Sequence, residues 1–64
     1  MIKYIKILVD NYDFESVEEF HEELKNNREE VVKWLQWRAD GGKMKNEAIT
    51  DGLAEASKEL LKLI

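Results

Sequence analysis

The chain has 64 residues and a formal net charge of −4, and it contains one histidine and no cysteine. A chain of this length forms one domain, residues 1–64, whose single small core supplies only about 3–5 kcal/mol of stability. Disulfides, thiolate metal sites and cysteine nucleophiles are excluded, and no apolar run approaches the roughly 20 residues that span a membrane.

The N-terminal segment Ile2–Asp10, IKYIKILVD, is rich in isoleucine, valine and tyrosine, which favour a β-strand. Alternation along that strand places Ile5, Ile7 and Val9 on one face. A single strand leaves a row of backbone amides and carbonyls unpaired, and no second strand is visible in the sequence. We therefore predict that the strand pairs with the same strand of a second copy, which gives a two-fold symmetric homodimer.

The region 16–39 carries helical signals throughout. Ser16 and Glu19 have the spacing of a capping box, in which the serine side chain accepts a hydrogen bond from an early helix amide. Asn27, with a glutamate three residues later, repeats such a start signal. One apolar stripe nevertheless runs through the whole region: Val17, Phe20, Leu24, Val31 and Leu35. One long helix and two helices both fit, and we prefer a break near Asn27. Gly41-Gly42 ends the region, since glycine readily takes the left-handed conformation that closes a helix.

A last helix is predicted after Asn46, whose side chain is typical of a helix N-cap. Its apolar positions recur at helical spacing: Ile49, Leu53, Ala56, Leu60 and Leu63. The predicted fold class is therefore α+β and mainly helical. It has one N-terminal strand followed by two or three helices, in the order β-α-α-α.

Acidic residues are concentrated in residues 10–30, where nine acids stand against two bases. Four of them fall on one arc of the first predicted helix: Glu18, Glu19, Glu22 and Glu23. Like charges four residues apart destabilise a helix by a few tenths of a kcal/mol. The arc is either a solvated face that keeps a small protein in solution or a docking surface for a protein with a basic surface.

Both tryptophans lie in one short stretch, Trp34-Leu-Gln-Trp-Arg38. The apolar arc of this helix is wider than a surface helix needs, and Trp34 is assigned to the core. Trp37 lies further round and is a candidate partner contact, because tryptophan and arginine are enriched at binding hot spots. Packing within the chain is the alternative for Trp37. Arg38 joins the same candidate surface, although it can equally stack on Trp34 or pair with a glutamate of the first helix.

No catalytic residue, cofactor site or metal site is predicted. Ser16 is used as a cap, Ser57 has no local histidine partner, and the single histidine, His21, borders an apolar stripe. The N-terminal residues lack the pattern of a secretory leader. We therefore expect a cytoplasmic protein that is not an enzyme and does not enter a membrane.

The segment Gly41–Ala56, GGKMKNEAITDGLAEA, resembles the entry to the second helix of ribbon–helix–helix regulators: a turn, a polar cap, a glutamate and an apolar repeat. Proteins of that family also begin with one strand that pairs across a dimer, and the resulting ribbon reads the major groove of DNA. The resemblance implies a dimeric DNA-binding transcriptional regulator. Its phosphate contacts would come from Lys3, Lys6, Lys43 and Lys45.

The net acidity ranks a protein partner above nucleic acid, because phosphate contacts need a basic footprint. The sequence therefore predicts a small non-enzymatic regulatory or interaction protein that acts by protein–protein contact as a homodimer. A dimeric DNA-binding regulator is the alternative.

Overall fold

The computed structural model describes all 64 residues and contains no β-strand. Its four helices are α1 (Ile2–Asp10), α2 (Val17–Asn26), α3 (Arg28–Ala39) and α4 (Asp51–Leu63). The predicted α+β class with an N-terminal strand is therefore wrong, and the protein has a small all-helical fold.

The N-terminal segment forms α1 because its apolar residues also match a helical period. Ile5 and Leu8, three positions apart, are fully buried, and Tyr4 and Val9 pack beside them against the core. β-branched residues lower helix propensity by only about 0.5 kcal/mol each relative to alanine. Burial of this face against the other helices therefore decides the conformation of the segment.

Of the three residues assigned to a dimer strand, Ile7 does not share a face with the other two. Ile5 lies in the core, Val9 is half-buried against it, and Ile7 is 38% exposed. Without a strand, the chain has neither an unpaired sheet edge nor a ribbon. The reason for expecting a strand-paired homodimer is removed, and so is the ribbon on which the ribbon–helix–helix resemblance depends.

α1 ends in a Schellman motif around Tyr12. The Asp13 N–H donates to the Leu8 carbonyl at 2.9 Å, and the Tyr12 N–H donates to the Val9 carbonyl at 2.9 Å. The position after the C-cap of such a motif has a positive φ and is usually glycine, but here it is Tyr12 with φ 65°. Tyr12 is also 92% exposed, so packing within the chain does little to offset its left-handed backbone.

α2 and α3 are separate helices that meet at Asn27, as preferred from the sequence. Ser16 caps α2 by accepting the Glu19 N–H at 3.0 Å, and the Glu19 side chain accepts the Glu15 N–H at 3.2 Å. The serine half of the predicted capping box is confirmed, and its glutamate reaches one residue further back than expected. At the junction, the Asn27 side chain donates to Glu23 and does not cap α3.

α3 ends at Ala39, and Gly41 then takes a left-handed conformation with φ 91°, which confirms the predicted end at the glycines. Residues 40–50 form a connection without regular structure, and α4 begins after Thr50. The predicted start after Asn46 is wrong, because the connection is bonded to the end of α3 instead of beginning a helix.

The core lies where α4 packs across α1 and α3, while α2 packs against α1 and α3. Its buried apolar side chains are Ile5, Leu8, Phe14, Phe20, Val31, Leu35, Leu53, Ala56 and Leu60. The predicted stripes supply most of these residues, but Ile49 and Leu63 of the last stripe are exposed.

Candidate functional site

Arg38, in the last turn of α3, is fully buried. A buried charge is costly unless it is paired and hydrogen-bonded. Its Nε and Nη2 groups donate to Asp13, its Nη1 and Nη2 groups donate to Glu47, and Nη1 also donates to the Gly42 carbonyl. Because a guanidinium has five N–H donors and no acceptor, these five bonds leave it no donor for an external ligand.

Asp13 is a bidentate partner of Arg38, with Nε to Oδ2 at 2.9 Å and Nη2 to Oδ1 at 2.8 Å. Neither side chain is exposed. The Trp34 indole N–H also donates to Oδ2 at 2.8 Å, and the Asn11 amide donates to Oδ1 at 3.1 Å. Each carboxylate oxygen of Asp13 therefore accepts two hydrogen bonds.

Glu47 reaches the same guanidinium from the connection between α3 and α4. Its Oε1 accepts from Arg38 Nη1 at 2.7 Å and from the Met44 N–H. Its Oε2 accepts from Arg38 Nη2 at 3.1 Å and from the Asn11 amide at 2.7 Å. We call Arg38, Asp13, Glu47 and Asn11 the Arg38 cluster.

Hydrogen bonding fixes the charge states within the cluster. The bond from Arg38, followed by those from the Met44 N–H and Asn11, lowers the pKa of Glu47 to about 2. Burial by itself disfavours the charged form of Arg38, but its bonds to Asp13 and Glu47 outweigh burial and raise its pKa above the ordinary value. Both Arg38 and Glu47 are therefore charged at neutral pH.

The Arg38 cluster has a structural role. It joins the turn after α1, the end of α3 and the connection before α4 at one guanidinium. Both carboxylates accept two bonds at each oxygen, so neither is a free base or a free ligand for a metal ion. Two carboxylates and one guanidinium give the cluster a formal net charge of −1.

The two tryptophan rings lie against this cluster, with their centroids 5.0 Å apart. The guanidinium carbon of Arg38 lies 5.3 Å from the Trp34 ring centroid and 4.8 Å from that of Trp37, within the range of cation–π contacts. Of the two alternatives left open for Arg38 within the chain, the stacking on Trp34 is present, and its carboxylate partners are Asp13 and Glu47 instead of a glutamate of the first predicted helix. Trp34, assigned to the core from the sequence, is only half-buried and packs against the core from its edge, and Trp37 is 38% exposed.

The acidic arc lies on α2, where Glu18 and Glu22 are exposed and Glu19 and Glu23 are half-buried. No lysine or arginine of the chain lies within ion-pair distance of any of the four. Arg38, which was predicted to belong to the same interaction surface, is buried and does not contribute to it.

A shallow groove opens beside α2 and has a volume of about 240 Å³. It is lined by residues of the turn after α1, of α2 and of α3: Asp13, Phe14, Glu23, Glu30, Val31 and Trp34. We call this the α2–α3 groove. Phe14, Val31 and Trp34 give it an apolar surface, and Glu23 is shared between the groove and the acidic arc.

Sequence reasoning identified only Glu23 among the groove residues as part of an interaction surface. Phe14 and Asp13 come from the turn after α1, and neither carries a motif or a periodic position that predicts a role. The sequence assigned Val31 to a helical stripe and Trp34 to the core. It did not indicate that a groove opens between these two residues and the turn after α1.

Comparisons of the chain with protein-family models, with curated proteins and with solved structures give no significant match. No helix has the length and the apolar character needed to cross a bilayer. No three histidine, aspartate or glutamate side chains are grouped in a way that could hold a metal ion.

Proposed function

We propose that this chain is a small non-enzymatic interaction protein that binds a partner protein through a basic segment of that partner. The observation that carries the proposal is the α2–α3 groove, whose apolar surface borders an acidic helix face that no internal cation neutralises. An apolar patch with a charged border is typical of protein-binding surfaces.

The charge distribution supports a basic partner. Glu18 and Glu22, four residues apart on α2, repel each other, and no lysine or arginine of the chain lies within ion-pair distance of either. A partner that brings lysine or arginine to this face relieves the repulsion and gains charge-assisted hydrogen bonds. Such complementarity raises the association rate and favours partners of one charge sign.

The test is a titration of the ¹⁵N-labelled protein with a defined amphipathic peptide of lysine, arginine and leucine. The ligand control is the same peptide with every lysine and arginine replaced by glutamate. We expect the basic peptide to shift amide signals of α2 and of the groove, with affinity that falls as salt rises. The variant E18K/E22K should lose most of the binding.

The matched control variant is E55K/E59K, which makes the same charge change at the same spacing on α4. It should bind the basic peptide with nearly the affinity of the wild type. A small loss of affinity is expected because the variant has a more positive net charge. Equal weakening in the two variants, or no shift with the basic peptide, would show that the α2 face is only a solvated surface. Self-association, the other partnership predicted from the sequence, is tested separately by sedimentation at micromolar concentration.

A further inference from the structure

The α2–α3 groove is too small for a typical cofactor or substrate. Its volume is about 240 Å³, whereas small-molecule sites occupy roughly 300–1,000 Å³. A groove of this size, open to solvent at the surface, suits one long side chain of a partner.

The groove combines an apolar floor with carboxylates. Phe14 and Val31 are almost fully buried core residues whose edges line it, and the half-buried Trp34 ring adds an aromatic surface. Long basic side chains pack an aliphatic stem on such a surface and keep the charged end at the polar border. An acidic or purely apolar side chain would use only one of these two features.

Two of the three carboxylates in the groove are available to a ligand. The Asp13 oxygens are saturated by the Arg38 cluster, so Asp13 contributes charge but no free acceptor. Glu23 accepts one bond, from the Asn27 amide. Glu30 has one lysine partner, Lys33, at 3.8 Å, and both side chains of that pair are more than 70% exposed, which makes the pair weak and easily exchanged.

The net charge near the groove favours a cation. The Arg38 cluster carries a formal charge of −1 beside Glu23 and Glu30, and Lys33 is the one lysine or arginine of the chain within ion-pair distance of either groove glutamate. A partner cation that enters the groove therefore meets attraction from several sides.

Resting on the proposed function, we propose that the α2–α3 groove receives the side chain of an arginine from the partner protein. The stem lies across Phe14 and Val31, the guanidinium stacks on Trp34, and Glu23 and Glu30 accept its N–H groups. A planar guanidinium can lie flat on an aromatic ring while the N–H groups at its edge donate to two carboxylates, whereas the ammonium of lysine is a compact point charge with no planar face. Arg38 makes that combination of contacts within the same molecule, against Trp34 and two carboxylates.

The groove around Ile7, Asp10, Asn11, Ile49, Gly52 and Leu53 is a weaker candidate. It has one carboxylate and no aromatic ring, and the Asn11 amide at its edge is already bonded within the Arg38 cluster.

The probe is N-acetyl-arginine methylamide, added to the ¹⁵N-labelled protein, with the citrulline analogue as a control of nearly the same shape and no charge. The lysine analogue is the control for guanidinium geometry. The reporter is the Trp34 indole N–H signal, which the variant W37F assigns because the chain has two tryptophans. We expect saturation with a dissociation constant on the order of 1 mM, as befits a single side chain.

The lysine analogue should bind at least threefold more weakly, and the citrulline analogue should bind at least tenfold more weakly. E23Q and E30Q should each weaken arginine binding about fivefold. E55Q, which makes the same change on an exposed α4 residue, should leave arginine binding unchanged.

The inference is overturned if the Trp34 indole signal does not move, if citrulline moves it as much as arginine does, or if E55Q acts like E30Q. The basic-peptide titration separates the two proposals. If the peptide still binds in an E18K/E22K-sensitive way, only the arginine groove is lost. If the peptide does not bind either, the proposed function fails as well.

Discussion

Trp37 occupies the space that a side chain on Gly42 would need. A Cβ atom built on Gly42 would lie 2.6 Å from the Trp37 carbonyl oxygen and closer still to the ring atoms Cδ2 and Cε2. The same two residues are bonded to each other, since the Gly42 N–H donates to the Trp37 carbonyl at 2.8 Å. The turn that ends α3 therefore depends on the absence of a side chain at position 42.

G42A should destabilise the protein by about 1–3 kcal/mol, because the alanine methyl group must displace Trp37 or the backbone beside it. Urea unfolding measures the change. G52A is the matched control: a Cβ on Gly52 meets no atom within 4 Å, and Gly52 lies in α4. We expect G52A to stabilise the protein by roughly 0.5–1 kcal/mol. A G42A variant as stable as G52A would contradict the described packing of Trp37.

D13A should destabilise the protein by about 3–5 kcal/mol, because it leaves Arg38 buried with two of its five hydrogen bonds broken. Such a loss equals the whole stability expected of so small a core, about 3–5 kcal/mol, and the variant should be largely unfolded. Far-UV circular dichroism at 25 °C reports the remaining helix. D10A removes an exposed acid from the end of α1 and should change stability by less than about 0.5 kcal/mol.

Acid should remove the contribution of Glu47 to stability. The pKa of Glu47 is lowered to about 2 in the folded protein, against an ordinary value of 4.5, mainly by the hydrogen bond from Arg38. As the pH falls, Glu47 is therefore protonated in the unfolded chain before it is protonated in the folded protein. The stability that Glu47 contributes is complete above about pH 4.5 and is lost as the pH falls towards 2. E47Q should be less stable than the wild type at pH 7, and the difference between their urea midpoints should shrink between pH 4.5 and 2. A constant difference would contradict the pairing with Arg38.

Y12G should stabilise the protein even though it deletes an aromatic ring. Tyr12 has φ 65° and is 92% exposed, so glycine removes a left-handed strain of about 1–2 kcal/mol and little packing. The greater freedom of glycine in the unfolded chain offsets part of this, which leaves a gain of about 0.5–1 kcal/mol. E15G, at an exposed position without a positive φ, should lose stability instead. The melting temperatures of the two variants give the comparison.

S57A should raise stability by about 1 kcal/mol. Ser57 is fully buried in α4, and its hydroxyl has no hydrogen-bond partner. Removing a buried hydroxyl without a partner recovers its desolvation cost, and alanine is also the better helix former. Thermal unfolding of S57A tests this, and a loss of stability would mean that the hydroxyl is bonded in solution.

Most of the helical structure was predictable because its signals are local. Ser16 caps α2 by accepting the N–H of a residue three positions later. Gly41 ends α3 by taking a left-handed conformation itself, and Leu53 and Leu60 repeat at helical spacing. The nine residues of α1 could not be predicted as a helix, because the apolar pattern of so short a segment fits both the strand period and the helix period. Ile5 and Val9 lie on one face of a strand and also near one face of a helix.

The Arg38 cluster and the groove depend on contacts that no local pattern reveals. Asp13 is 25 positions before Arg38, and Glu47 is nine positions after it across an irregular connection. The acidic arc that contains Glu23 could be predicted from spacing alone. The opening between that arc and the turn bearing Phe14 depends on how the turn folds back on α3, which the sequence pattern does not specify.

One guanidinium links two irregular segments, and this has a consequence for local motion. The turn after α1 and the connection 40–50 are bonded to Arg38, and the Asn11 amide bonds both carboxylates. Opening the turn breaks two of the five hydrogen bonds of the buried guanidinium, and opening the connection breaks the other three, so opening either segment alone is unfavourable. The two segments should therefore open together, as one cooperative unit, although they lie in different parts of the chain. We therefore expect the hydrogen-bonded amides of the two segments to show similar protection from hydrogen exchange.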